Sequence, residues 1–182
     1  MIKTKKELKK CLKNDYKYYE KNLKDRVRDI ITQEHLIEIW KYIKYLRYEE
    51  YYLNTNKKVL RLIYSRKKNL LGNKLGFYIL PNSVDCGLTI CHHGSIIING
   101  YSKIGENCIL HGDNCVGNDG KSKKAPVIGN NVNIGIGAKI IGDIYIANNV
   151  KVGANAVVIN SCYNEGATLV GIPAKEVKIE KR

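Results

Sequence analysis

From about Cys86 to Val158 the chain carries an apolar residue at every sixth position, a period that neither an α-helix nor an ordinary alternating strand produces. The series runs Cys86, His92, Ile98, Ile104, Leu110, Val116, Ser122, Ile128, Ile134, Ile140, Ile146, Val152 and Val158, and eleven of the thirteen are aliphatic or cysteine. A small or turn-forming residue often follows, as at Gly87, Asn99, Gly105, Gly117, Gly129, Gly135, Ala147 and Gly153. Such a repeat suits three short parallel strands per coil, with the aliphatic residue inside and the small one easing each corner. The fold class expected is mainly β: a left-handed parallel β-helix, preceded by a small α-helical N-terminal segment.

Two slots break the pattern. Ser122 lies in the polar stretch Asn118 to Pro126, which reads as a protruding loop, a common place for function. His92 puts an imidazole where other repeats put isoleucine, a costly interior position unless the ring bonds something. Three hexads make a coil of about eighteen residues, so His93 and His111 should stack about 4.8 Å apart. That register gathers His92, His93 and His111 at one corner and leaves His35 as a structural residue.

Before residue 76 the spacing is helical. Leu36, Trp40, Ile43 and Leu46 recur on one face, with Lys41, Lys44, Arg47 and Glu50 assigned to the other, and Thr32 is the expected cap. Val59, Leu60, Ile63 and Tyr64 form a second apolar set, followed by Arg66-Lys67-Lys68 and by Gly72 as a helix stop. The domain reading is a helical segment over 1–75 and a β-helix domain over 76–182, with the loop 118–126 and a C-terminal tail.

The net charge of +14 is concentrated early: residues 1 to 80 hold 21 Lys and Arg against 9 Asp and Glu, the rest 10 against 8. A basic segment of this kind can meet nucleic acid, an anionic membrane face or an anionic polymer such as a saccharide, or is simply solvated, and charge alone does not choose among these. The tyrosines among its lysines accompany no nucleic-acid motif, so packing is their expected use. No apolar run is long enough to cross a bilayer and no secretory signal opens the chain, so a cytoplasmic location is expected, with a peripheral position at the inner membrane face as an option. The six cysteines show no CxxC pair and are expected to be reduced and buried. Gly117 to Ser122 fails as a phosphate loop because its first glycine would be Cys115, and the Cys/His set of the repeat matches no zinc spacing, so no metal is expected.

The run Gly87 to Asn99, with Cys91-His92-His93-Gly94 at its centre, Ile134-Gly135-Ile136-Gly137-Ala138-Lys139-Ile140, Val152-Gly153-Ala154-Asn155-Ala156-Val157-Val158 and Val170-Gly171-Ile172-Pro173-Ala174-Lys175 resemble the hexapeptide-repeat acyltransferases. Within them the chain is similar to serine O-acetyltransferases and to O-acetyltransferases of capsule and exopolysaccharide synthesis. The resemblance implies acetyl-CoA as co-substrate and His92 as general base, with His93 and His111 orienting the acceptor or meeting the oxyanion. It implies close cofactor approach at Gly137, Ala138 and Ala154, phosphate contacts from Lys139 and Lys175, and a homotrimer with shared sites. The serine enzymes carry Asp-His at the base, another Asp fifteen residues earlier and a histidine in the loop. Here Cys91, Phe77 and Lys123-Lys124-Ala125-Pro126 stand there instead. Those departures favour a sugar or saccharide hydroxyl as acceptor. Serine acetylation for cysteine synthesis is the alternative, and a non-catalytic β-helix scaffold the alternative of another class.

Overall fold

The computed structural model describes residues 1–177, so the last five residues of the predicted tail lie outside the described part. Four α-helices come first: α1 (Lys5–Tyr16), α2 (Leu23–Thr32), α3 (His35–Asn54) and α4 (Lys58–Leu75). Helix α1 opens with a capping box, the Thr4 hydroxyl accepting from the Glu7 amide at 3.1 Å while the Glu7 carboxylate accepts from the Thr4 amide at 2.9 Å. Thr32 is not the cap of α3. It closes α2, donating to the Arg28 carbonyl, and the chain reverses at Gln33 in the left-handed region before Glu34 leads into α3. Nor does Gly72 stop α4. The helix runs on to Leu75, and Gly76 takes the left-handed conformation that ends it.

Gly72 is small for a packing reason. A Cβ there would lie 2.5 Å from the Phe77 carbonyl oxygen and 3.0 Å from the Tyr42 ring. Gly72→Ala should therefore destabilise the protein by about 1–3 kcal/mol, since the clash with fixed backbone outweighs the roughly 1 kcal/mol that alanine gains in helix propensity. Urea unfolding checks this.

The remaining chain winds into a left-handed parallel β-helix of triangular section. One face stacks Phe77–Ile79, Ile96–Ile98, Cys115–Gly117, Lys139–Ile141 and Val157–Val158. The second stacks Lys103–Ile104, Val127–Ile128 and Tyr145–Ile146, and the third Thr89–Ile90, Ile109–Leu110, Asn133–Ile134, Lys151–Val152 and Thr168–Gly171. Ala174–Val177 turns back antiparallel on the last of these. Ile98, Ile104, Leu110, Val116, Ile128, Ile134, Ile140, Ile146, Val152 and Val158 are all buried, as the six-residue period requires. Corners fall on residues that accept a positive φ, among them Asn107, Asn131 and Asn149; the last two are linked at 3.1 Å, one coil apart. Lys103 pairs with Val127 rather than with a residue eighteen on, so six residues are inserted there, and Ser122 lies exposed in that loop.

The helices pack on the first coil through Ile39, Tyr42, Ile43 and Leu46, which join Phe77, Ile79 and Leu88 in one core. Two residues assigned to the polar face of α3 are in fact buried: Arg47 and Glu50 are 1% and 2% exposed. Arg47 donates to both Asp15 oxygens at 2.8 and 3.3 Å, to Glu50 at 3.0 Å, and to the Val84 and Asp85 carbonyls at 2.7 Å each. Asp15 in turn accepts from the Gly87 and Leu88 amides at 2.6 and 3.0 Å. One guanidinium thus ties α1, α3 and the first coil together, which is why a charge sits where pattern alone would put it in water. Lys68 of the basic stretch is likewise buried against Glu49 at 2.8 Å.

The expectation of six reduced cysteines fails at one pair. Cys11 of α1 and Cys86 of the first coil form a disulfide, with Cα atoms 5.0 Å apart and a sequence separation of 75, because the Asp15 contacts lay α1 along this segment. Cys91, Cys108 and Cys162 are free and buried, and Cys115 is free and half-buried.

Candidate active site

The histidines stand where the β-helix departs from its own period. Val84 pairs with Ile104 and Ile90 with Leu110, twenty residues apart, whereas Ile98 pairs with Val116, eighteen apart. Two extra residues therefore enter between Ile90 and Ile96, both of which are wholly buried. The count that placed Cys86 and His92 in interior slots runs two residues out of phase upstream of this insertion. His92 and His93 are exposed, on a bulged corner, and the desolvation cost expected for His92 does not arise.

The bulge is held from both sides. Cys91 donates its amide to the Leu110 carbonyl at 2.9 Å, and Gly94 and Ile96 donate to the Leu75 and Gly76 carbonyls at the end of α4. Asp113, one coil on, accepts from the Ser95 amide at 2.8 Å, and a Cβ on Gly94 would come within 2.8 Å of the same oxygen. Gly94 has φ +130°, so glycine is required there on two counts. The corner of the next coil is fixed by buried Asn114, whose amide donates to the Gly135 carbonyl at 2.7 Å and whose oxygen accepts from Gly112.

His111 follows Leu110, the partner of Ile90, so the residue stacked under it is Cys91 and the expected stacking of His93 on His111 is not found. Its Nε2 lies 3.0 Å from Asn133 Oδ1. The ring that does join the bulge is His35, which sequence reasoning set aside. Its centroid is 5.9 Å from that of His92, nearly parallel at 22°, and 5.5 Å from that of His93, edge-on at 74°. His35 Nδ1 approaches Glu34 Oε1 at 2.5 Å, and Nε2 lies 3.4 Å from the Cys91 carbonyl. The only sequence signal was its place in the first turn of a helix behind a reversal, which says nothing of a contact across 57 residues.

Cys91 is buried, and that burial pushes its thiol above the ordinary range. It supplies no negative charge where the serine enzymes of the resemblance carry a carboxylate. Among the described residues no group of three or more His, Cys, Asp or Glu side chains is arranged to hold a metal ion, and no helix is long and apolar enough to cross a membrane.

The residues expected to serve the co-substrate lie further along the β-helix. Gly137 has φ +74°, and a Cβ there would collide with Asn155 Oδ1 at 2.0 Å, so its lack of a side chain serves corner stacking. Ala138 is wholly buried, its methyl in the core, so only its backbone faces outward for the close approach expected there. Ala154 is exposed on the adjoining corner, and Asn155 donates its amide to the Ile136 carbonyl at 2.8 Å. Lys139 is half-buried with Nζ donating to the Asp113 carbonyl, and Lys175 is exposed on the terminal hairpin. Lys139 thus stands between the Ala154 corner and the Asp113 that braces the histidine bulge.

Known proteins share this architecture. Residues 125–160 match the family model "Bacterial transferase hexapeptide (six repeats)". A serine acetyltransferase of Synechococcus elongatus is 34% identical over 93 residues, which cover 50% of this chain and 38% of that protein. The solved Neisseria gonorrhoeae serine acetyltransferase is 25% identical with a TM-score of 0.74, over 98% of this chain and 69% of the other. A serine acetyltransferase solved in complex with CoA is 27% identical with a TM-score of 0.59, over 77% of this chain and 57% of the other. The chain thus spans well under half the length of the curated relative it matches.

Proposed function

We propose that this hexapeptide-repeat chain, which resembles the serine O-acetyltransferases, is an acetyl-CoA-dependent O-acetyltransferase that uses L-serine as acceptor and His92 as general base. The observation that carries the reading is the two-residue insertion that lifts His92 off the lattice into solvent, on a β-helix otherwise built for regularity. An exposed imidazole nitrogen is open to solvent and substrate and can take a proton from an attacking hydroxyl. In the reaction His92 accepts that proton, the oxygen attacks the thioester carbonyl, and the C–S bond breaks. The thiolate leaves and takes the proton back, giving ester and free CoA.

Serine is preferred to the sugar hydroxyl favoured by sequence alone because the relatives just described are serine acetyltransferases, one of them solved with CoA. The saccharide acceptor is kept as second reading on one observation: neutral Cys91 stands where a carboxylate would grip the serine ammonium. His93, the chain neighbour of His92 with its ring likewise against His35, is assigned to the acceptor, and His111, tethered to Asn133, to the oxyanion side. For acetyl-CoA the fit lies in the corner from Gly135 to Gly137 stacked on Gly153 to Asn155, where exposed Ala154 leaves the backbone open to approach. The Ala138 contribution is then its backbone, and Lys139 and Lys175 are the cations for the phosphates. A homotrimer closes the site between neighbouring coils, residues 76–182 being the catalytic domain and 1–75 its helical preface. The lysines of α1 are the proposed contact with an anionic saccharide or a cytoplasmic membrane face.

The test is thiol release from acetyl-CoA with L-serine against a panel of mono- and oligosaccharides. L-Serine should give the highest kcat/KM. Release with a saccharide alone would replace serine by the second reading, and absence of both release and CoA binding would favour a scaffold.

A further inference from the structure

We propose that His35, seated by Glu34 at the start of α3, is a positioning residue that holds the His92 imidazole in one orientation. This rests on the reading of His92 as base. An exposed imidazole ordinarily turns about two side-chain torsions, and a base must lie within hydrogen-bond reach of the proton it takes. Among the described residues no hydrogen bond to the His92 ring is present, so its restraint must come from ring contact. His35 supplies it, its ring nearly parallel to that of His92 with centroids 5.9 Å apart and planes at 22°.

His35 is itself well fixed. Its two nitrogens face two acceptors, the Glu34 carboxylate at 2.5 Å and the Cys91 carbonyl at 3.4 Å. The helix behind it is rigid, because Ile39, Tyr42, Ile43 and Leu46 are wholly buried and Arg47 is locked to Asp15 and Glu50. A second contact, edge-on at 5.5 Å, seats the neighbouring His93 ring against His35 as well. The helical segment thereby reaches into a site that the repeat alone would leave loose. The serine enzymes of the resemblance orient their base with a carboxylate fifteen residues earlier; here Phe77 occupies that position and is buried. A group from another element takes over the task.

The experiment has two arms. In the first, three-bond couplings across the His92 χ1 torsion are measured by NMR in wild type and His35→Ala. One dominant rotamer in wild type that becomes averaged in His35→Ala is expected; averaging already in wild type overturns the proposal. The second arm measures kcat and KM with acetyl-CoA and L-serine for wild type, His35→Ala, His35→Phe and His92→Ala. His35→Ala should lower kcat about tenfold with KM for acetyl-CoA unchanged, and His35→Phe, which keeps a ring face, should restore most of it. Wild-type kcat in His35→Ala beside an inactive His92→Ala overturns the positioning role and leaves the base standing. Full activity in His92→Ala overturns the base reading, and the positioning role with it.

Discussion

Replacing His92 by alanine is expected to lower kcat by about 10²–10⁴-fold while leaving both CoA affinity and stability almost untouched. The rate loss follows from removing the group proposed to take the acceptor proton. Stability is spared because the ring is exposed, so its truncation stays within about 0.5 kcal/mol, as at other surface sites. An interior His92 would behave otherwise: emptying a packed lattice slot costs about 2–5 kcal/mol by analogy with large aliphatic side chains. The variant's urea midpoint and its kcat therefore report separately on where the ring sits and on what it does. CoA affinity should hold because the proposed cofactor corner at Ala154 belongs to later coils.

The second large effect is on stability. Arg47→Ala should destabilise the protein by about 3–5 kcal/mol, a large share of the roughly 5–15 kcal/mol a domain possesses. Removing the guanidinium leaves the Asp15 and Glu50 carboxylates buried without their cation and deprives the Val84 and Asp85 carbonyls of donors. Because Asp15 also accepts from Gly87 and Leu88, the damage spreads to the first coil. Urea denaturation of wild type and variant measures it, and a midpoint shift below about 1 kcal/mol would mean the network carries little.

Downstream of Ile98 the fold was legible at the level of single residues, because a coil with a fixed perimeter brings an inward-facing apolar side chain round at every sixth position. The inserted loop was legible too, since Ser122 broke that rule in polar company. Upstream, the phase was lost. Two residues added at a corner change no composition, and the run Ile96-Ile97-Ile98 offers an apolar residue to whichever phase is counted. His92 was thus placed wrongly as interior, and the stacking of His93 on His111 failed for the same reason. Arg47 and Glu50 were misread because helical periodicity assigns every charge to water, whereas the partner that makes burial tolerable, Asp15, lies 32 residues away on another helix. His35 and the Cys11–Cys86 disulfide share this cause: both are contacts between the helices and the first coil, and no local pattern encodes how those two parts dock.

The central claim is acetyl transfer by a histidine displaced from the repeat, and it is tested most directly by product. Wild type and His92→Ala are each incubated with acetyl-CoA and L-serine, and the amino acid is analysed by mass spectrometry alongside the free thiol. The account predicts O-acetylserine appearing in step with CoA for wild type and neither for His92→Ala. Thiol released while serine stays unmodified, or product formed by His92→Ala at the wild-type rate, would contradict it.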